Sequence, residues 1–226
     1  MFSLHVDTAQ SWRGGQNQTL LTVLGMKAIG HRVALVAHPN SELRKRANDK
    51  VDLIPLAAST EMNLLASWRL SRIISKLKPD VIHAHDPHAV AVAALALSVY
   101  SPSPRPLLFA SRRVDFHLKR NMFSLWKYRQ VDFFICVSDA IRTMLQMDGI
   151  DGERIKTIAE GIDVDHVTKS PPLSIHNELG LPEHTPVVGN IAALVPHKGQ
   201  NYLIEAAKLV REEKLDVKFV IAGEGE

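Results

Sequence analysis

Short runs of apolar and β-branched residues alternate along the chain with longer segments of helical periodicity. From Leu70 to Leu77 an apolar residue recurs every three or four positions, which predicts one buried face of a helix. Gly30 follows the first predicted helix, where a left-handed residue commonly ends a helix. This alternation is typical of an α/β fold in which helices cover both faces of a parallel sheet. The predicted strands are FSLHVD (2–7), RVALVAH (32–38), VDLIPL (51–56), DVIHAH (80–85), PLLFAS (106–111), DFFICVS (132–138) and RIKTIAE (154–160).

The alternation stops at 169–185, where prolines and polar residues indicate a linker. We therefore predict a first domain over 1–168 and the start of a second, incomplete domain over 186–226. One strand-helix-strand unit cannot bury both faces of its strands. We expect the chain to be the front part of a longer protein, and the alternative is that this unit packs on the first domain or, by self-association, on another copy of the chain. The predicted elements after the linker are a strand at 186–192, a helix at 199–214 and a strand at 216–223.

Composition narrows the class of protein. Apolar residues occupy 46% of the 226 positions, which is enough for a sizeable core. The 27 basic residues exceed the 24 acidic residues by three, too small an excess to indicate a nucleic-acid partner. The single cysteine, Cys136, excludes a disulfide framework and favours a reducing compartment. Without a signal-like N-terminus or an apolar run of membrane-spanning length, we expect a cytoplasmic protein, with peripheral contact at the inner face of the membrane left open.

Two adjacent glycines, Gly14 and Gly15, follow the first predicted strand, and Gln16 begins the next predicted helix. Parallel sheets bind ligands at the carboxyl ends of their strands. A backbone without Cβ atoms lets a ligand approach closely, and a helix N-terminus favours an anion. The pair predicts either a phosphate-binding loop or a tight turn without a ligand, since the full G-x-G-x-x-G pattern is absent.

A second polar group ends the strand predicted at 80–85. His83 and His85 are two positions apart and share one face of the strand, and Asp86 follows directly. Zinc binding is one interpretation, because imidazole and carboxylate groups are zinc ligands. Hydrogen-bonded histidines at a strand end, and a polar wall of a substrate pocket formed by His85, are the others. The metal is the least favoured, because the sequence has no other clear cluster of ligands.

Basic residues follow two further predicted strands. Lys198 and Gly199 lead into a predicted helix, and an ammonium beside a helix N-terminus suits a diphosphate. A solvated surface lysine is the alternative. Arg112 and Arg113 follow the strand at 106–111 and suit an anionic acceptor.

Three other patterns have structural interpretations that we favour. Basic and aromatic residues interleave over 119–129, which suits a membrane surface but is more typical of side chains that pack around a helix. Ser138 and Asp139 suit the cap and first turn of a helix. Asp163 and Asp165 form an Asp-x-Asp pair that can hold a divalent metal against a diphosphate, and we interpret it as a turn.

Four stretches, in order along the chain, resemble the group 1 family of retaining glycosyltransferases, which have the GT-B fold of two Rossmann-like domains. The resemblance implies transfer of a hexose from a nucleotide-sugar donor to a glycan or glycolipid acceptor, with retention and without an obligatory metal or other cofactor. It also implies a role in cell-envelope polysaccharide synthesis, an acceptor-side N-terminal domain and a donor-binding C-terminal domain. The stretches are GGQ (14–16), DVIHAHDPHA (80–89), ICVSDAIRTML with GIDGERIKTIAEGID (135–163), and VGNIAALVPHKGQNYLIEAAKLV with VIAGEGE (188–226).

The resemblance also implies roles for individual residues. His85 would lie near the reacting sugar and Lys198 would contact the donor diphosphate, so these two are the predicted catalytic residues. The predicted phosphate-binding residues are Gly14, Gly15, Lys198 and Gly199. The predicted acceptor-binding residues are Gln16, Asp86, Arg112 and Arg113.

Two departures from the family pattern limit how far these roles can be assigned to this chain by resemblance. Ala193 stands where family members often have an arginine, and the paired glutamates that hold the nucleotide ribose would fall after Glu226. We therefore expect the 226-residue chain to be inactive or impaired by itself. The alternatives are a non-catalytic acceptor-binding fragment and a metallohydrolase that uses His83, His85 and Asp86.

Overall fold

The computed structural model describes residues 1–58, 60–100 and 102–225, and it has the predicted α/β architecture. Glu226, the last residue of the predicted C-terminal segment, lies outside these ranges. The chain forms two compact units, Met1–Ile162 and Asp163–Glu226.

The first unit contains a parallel seven-stranded sheet. Each predicted strand is present, and most end one or more residues earlier than predicted at the carboxyl end. The strands are β1 (Phe2–Asp7), β2 (Arg32–Ala37), β3 (Asp52–Pro55), β4 (Val81–Ala84), β5 (Leu107–Arg112), β6 (Phe133–Cys136) and β7 (Ile155–Thr157). Their order is β3-β2-β1-β4-β5-β6-β7, and all neighbouring pairs are parallel.

Helices connect these strands. The first of them begins at Gly14, so the prediction that it begins at Gln16 was wrong: the glycine pair forms the first helical turn instead of a preceding loop. Gly30 has a φ of +85°, as predicted for the residue that ends this helix. The helices are α1 (Gly14–Ala28), α2 (Glu42–Ala47), α3 (Leu64–Leu77), α4 (Pro87–Val99), α5 (Met122–Arg129) and α6 (Asp139–Met147).

The alternation of side chains along the strands builds a core on each face of the sheet. In β2, Leu35 packs with α1 and α2, whereas Val36 faces the core that contains α3 and α4. Leu70 and Ile74 of α3 are fully buried, which confirms the predicted helical face. Burial of each such side chain contributes about 1.5–3 kcal/mol to folding. These two cores fix the positions of the strand ends at which the site lies.

Polar side chains set several helix ends. Ser138 accepts a hydrogen bond from the amide of Ile141, which confirms the predicted cap of α6.

Cys136 is buried, and burial raises the pKa of its thiol to about 11, so the thiolate is disfavoured. Among the described residues, no helix combines the length and the apolar character required to cross a membrane.

The second unit is built around one parallel strand pair. Asp163 caps its first helix, so the Asp-x-Asp pair starts a helix and the interpretation as a turn was wrong; the carboxylate satisfies a free amide at the helix end. No residue of its longest helix is buried. The elements are α7 (Val164–Lys169), α8 (Ile175–Leu179), β8 (Val187–Ile191), α9 (Gln200–Glu212) and β9 (Lys218–Ala222).

Candidate functional site

The chain order of the strands reverses between β1 and β4, which lie side by side at the centre of the sheet. The crevice at the carboxyl ends of such neighbouring strands is where open α/β sheets bind ligands. Polar side chains occupy one face of both strands as they approach this edge. Ser3, His5 and Asp7 alternate with apolar residues on β1, and His5 lies in register with His83 of β4.

Three imidazole rings lie against one another at this place, and two of the three pairs are stacked. His83 and His85 lie on one face, as predicted, with ring centroids 4.1 Å apart, and His5 lies 5.2 Å from each of them. Burial lowers the pKa of His5 to about 4 and the pKa values of His83 and His85 well below the ordinary value. All three rings are therefore neutral near neutral pH.

Hydrogen bonds fix the protons of two of these rings. A guanidinium only donates, so the 3.3 Å contact of Arg113 Nη2 requires an unprotonated Nδ1 on His85. The proton of His85 then lies on Nε2, which donates to Nδ1 of His5 over 2.9 Å. The proton of His5 lies in turn on its Nε2, which donates to Ser3 Oγ over 3.1 Å. Arg113 thus selects the tautomers along the chain of contacts.

Arg113 is itself held from two directions. Its Nη1 donates to the carbonyl of His85 over 3.2 Å, and its Nε donates to Glu160 Oε1 over 2.6 Å. A Cβ atom added at Gly15 would lie 3.8 Å from Cδ of Arg113. The structure therefore brings together the predicted residues Gly15, His85 and Arg113, and it adds Glu160, which the sequence analysis did not single out.

The protein itself does not require glycine in the first turn of α1. A Cβ added at Gly14 meets no described atom within 4 Å, and the contact at Gly15 is an ordinary van der Waals distance. Neither residue has a left-handed conformation. Packing of the described residues thus does not explain why glycine occupies both positions. Our interpretation remains that a ligand approaches the backbone closely at this turn.

Gln16 and Asp7 form a buried pair beneath this turn. Gln16 Nε2 lies 3.4 Å from both carboxylate oxygens of Asp7, and Thr19 Oγ1 donates to one of them over 3.0 Å. Burial, followed by the charge of Asp86, raises the pKa of Asp7 to about 6. The side-chain Nε2 of Gln16 is thus bound to the carboxylate of Asp7 within the protein. The sequence analysis did not single out His5 and Asp7, although polar residues at alternate positions of FSLHVD were a signal that could have marked them.

Asp86 joins the end of β1 to the start of α4. Its carboxylate accepts from the amide and the hydroxyl of Thr8, over 2.7 and 2.8 Å. It also accepts from the amides of His88 and Ala89 over 2.9 Å, which caps α4. Asp86 is thus engaged in four hydrogen bonds and does not join the histidines.

Among the residues that the structure describes, the nitrogen atoms of the three histidines form the group that most resembles a metal-binding site. Atoms of His5, His83 and His85 lie within 4.8 Å of one another. Two of them, however, share a hydrogen bond at 2.9 Å, whereas nitrogens on one tetrahedral zinc lie about 3.4 Å apart for bonds of about 2.0–2.1 Å. The trio of His83, His85 and Asp86 considered above is not assembled, because Asp86 is committed to α4. We assign no metal to these residues.

The second unit holds the other predicted residues. Lys198 is exposed at the end of a short 3-10 helix, Pro196–Lys198, directly before α9. Gly199 caps α9 with a φ of +70°, a conformation that favours glycine. The side-chain Nε2 of Gln200 donates to the carbonyl of Ala193 over 2.9 Å and closes the loop. Lys198 thus lies beside a helix N-terminus, as the sequence predicted.

Two family models match the chain. Glycosyltransferase Family 4 matches residues 12–166, and Glycosyl transferases group 1 matches residues 173–226. Phosphatidyl-myo-inositol mannosyltransferase of Mycobacterium leprae is 25% identical over 223 residues, which cover 94% of this chain and 58% of that protein. The chain thus spans less than two thirds of the length of this relative.

Two solved structures share the fold. HepE of Anabaena, in complex with UDP-glucose, has a TM-score of 0.70 and 18% identity, and the match covers 98% of this chain and 69% of HepE. A glycosyltransferase from Rickettsia africae has a TM-score of 0.73 and 15% identity over 99% of this chain and 68% of that one. These likenesses confirm the predicted GT-B type of fold.

Proposed function

The chain belongs to glycosyltransferase family 4, and on that premise we propose that it serves the transfer of a sugar from a nucleotide-sugar donor to a glycan or glycolipid acceptor, with retention. The observation that carries this proposal is the meeting of Gly15, His85 and Arg113 at the carboxyl edge of β1 and β4. The donor class is supported by the UDP-glucose bound to HepE. The acceptor class is supported by the name of the mannosyltransferase relative. A role in cell-envelope polysaccharide synthesis, at the cytoplasmic side of the membrane, belongs to the same proposal.

Departure of the leaving group places negative charge on a diphosphate. The ammonium of Lys198 and the N-terminus of α9 at Gly199 are our proposed diphosphate contacts in the second unit. Gly14 and Gly15, at the N-terminus of α1, are our proposed phosphate contact in the first unit. In a protein of full family length, loss of one such contact should reduce turnover by about 100- to 1000-fold.

The role that we propose for His85 follows from its proton. Nδ1 carries no proton, and among the residues that the structure describes it is held only by the 3.3 Å contact with Arg113. A sugar hydroxyl that replaces this contact would donate to Nδ1, while Nε2 keeps its bond to His5. The neutral ring would then orient the reacting sugar without acting as an acid.

Replacement of glycines within α1 tests the phosphate contact. Gly15→Ala meets no steric conflict and should leave the helix at least as stable as in wild type, because alanine loses less backbone entropy than glycine. Gly25→Ala is the matched control, since it lies in the same helix and also has open space around it. If a ligand approaches Gly15, only Gly15→Ala should weaken nucleotide-sugar binding.

The measurement is isothermal titration of the 226-residue chain with a panel of nucleotide-sugars that includes UDP-glucose. Weaker binding by Gly15→Ala at equal or higher thermal stability supports the phosphate contact. Equal binding by Gly15→Ala and Gly25→Ala would remove the glycine pair from the site. Absence of binding by every donor would favour the alternative of an acceptor-binding fragment.

A further inference from the structure

Glu160 lies in the exposed segment that follows β7, yet its carboxylate contacts the arginine beside His85. Its Oε1 accepts from Nε of Arg113 over 2.6 Å, which is shorter than the two contacts that Arg113 makes with His85. Only 16% of the side chain of Arg113 is exposed. A short hydrogen bond between two charged groups is stronger than a bond between neutral groups. The pair thus differs from an exposed ion pair, in which water screens both charges.

The strand order determines how far this segment reaches. Arg113 directly follows β5, whereas Glu160 follows β7, and β6 lies between these two strands. Two strand spacings amount to about 10 Å. The carbonyl of Gly161 then accepts from Nε2 of Gln18 in α1 over 2.8 Å, and β1, the strand before α1, lies two strands beyond β5. Contacts with two different elements therefore fix the segment at Glu160 and Gly161 near the strand ends at which His85 lies.

The backbone that carries Arg113 is also fixed. Arg112, the preceding residue and a predicted acceptor contact, ends β5, is buried, and donates through Nη2 to the carbonyl of Phe116. This bond holds the loop that begins at Arg113. The guanidinium of Arg113 contacts the carbonyl and the ring of His85 over 3.2 and 3.3 Å, which are long distances for hydrogen bonds. Its orientation towards the ring therefore depends on the shorter bond at Nε, which Glu160 supplies.

We propose that Glu160 is a positioning residue for the sugar transfer, and that it acts through Arg113 on the proton of His85. The bond from Nε of Arg113 to Glu160 holds Nη2 at Nδ1 of His85. Because a guanidinium only donates, this contact keeps Nδ1 unprotonated. The inference rests on the proposed function, in which Nδ1 is the acceptor for a sugar hydroxyl.

Glu160 also determines where Arg113 goes when a hydroxyl takes its place at the ring. The hydroxyl replaces the 3.3 Å contact at Nδ1, whereas the 2.6 Å bond between Arg113 and Glu160 is kept. The guanidinium can then turn about its bond at Nε and stay beside His85. Binding of the hydroxyl thus exchanges one long contact and leaves the ion pair intact.

The test replaces Glu160 and follows the nitrogen NMR signals of His85, assigned by their loss in His85→Gln. The measurement is made near pH 7.5, where the ring is neutral because burial lowers its pKa well below the ordinary value. Glu160→Ala removes the acceptor at Nε of Arg113, so the signals should change from the Nε2-protonated form to a mixture of tautomers. Glu160→Gln keeps a side-chain oxygen at this place and should retain the single form. The matched control is Glu153→Ala, at an exposed glutamate before β7.

A mixture of tautomers in Glu160→Ala, with the single form in Glu153→Ala, supports the proposal. A mixture in Glu160→Gln as well supports it and shows that the charge of the carboxylate is required. The single form in Glu160→Ala would overturn it, even at a lower free energy of unfolding, because a purely structural role leaves the proton of His85 in place. A mixture in Glu153→Ala would overturn it too. No nucleotide-sugar enters these measurements, so their failure leaves the donor titration unaffected.

Discussion

Lowering the pH should destabilise the first unit through its stacked histidines. The pKa of His5 falls from 6.5 to about 4 because the ring is buried. A histidine with a lower pKa in the folded state contributes its full stability above the unfolded pKa, and this stability is lost as the pH falls from 6.5 towards 4. For His5 the loss between about pH 7.5 and about pH 5 is about 2 kcal/mol, at 1.36 kcal/mol per pKa unit. The directions at His83 and His85 have the same sign.

Asp7 opposes this trend. Burial raises its pKa from 3.8 to about 6, so the folded state binds a proton before the unfolded chain does. Its contribution favours folding at low pH and is lost as the pH rises through 6; over the same range it offsets about 1.5 kcal/mol. The free energy of unfolding of the wild type should therefore decrease towards acid pH with a reduced slope. Replacement of the histidine shows its contribution most clearly.

The assay is urea unfolding at a series of pH values, followed by tryptophan fluorescence. The three tryptophans, at 12, 68 and 126, all lie in the first unit, so the signal reports that unit alone. His5→Gln should remove about 2 kcal/mol of the pH dependence between about pH 7.5 and about pH 5. His88→Gln, at an exposed position of α4, is the control and should keep the wild-type slope. An unchanged slope in His5→Gln would refute the reasoning.

The remaining predictions concern Arg113 and Lys198. Arg113→Met removes the donor at His85 Nδ1, so the nitrogen NMR signals of His85 should change from the Nε2-protonated form to a mixture of tautomers. Arg120→Met is the exposed control in the same segment, and retention of the single tautomer in Arg113→Met would contradict the assignment. Lys198→Ala should weaken binding of UDP-glucose by about tenfold, whereas Lys208→Ala, on the exposed surface of α9, should not. Equal affinities of the two lysine variants would exclude Lys198 from the donor site.

The sequence predicted those features that depend on local patterns. Strands appeared as β-branched runs, and the cap at Ser138 and the left-handed residue Gly30 followed from the preferences of single residue types. The start of α1 was missed because glycine has a low helix propensity, whereas the first turn tolerates it.

Contacts between distant positions were beyond reach of local patterns. Arg113 and Glu160 are 47 positions apart, and His5 and His85 are 80 apart. Only the strand order brings them to one edge of the sheet. The burial of Lys127 could not be predicted either, because a basic residue in a segment of aromatic residues is expected at the surface until its neighbours in space are known.

Uncharged imidazoles suit the proposed sugar transfer, in which the reacting sugar itself becomes cationic. A sugar that loses its diphosphate gains positive character at the ring, and an imidazolium ion about 4 Å away would oppose this by about 4 kcal/mol at an effective dielectric constant of about 20. Exclusion of water from the ring of His85 keeps it from protonation even in mild acid. At the proposed site the rings can therefore offer polar contacts to an electron-poor sugar without repelling it, and burial by protein packing is the largest cause of their neutrality.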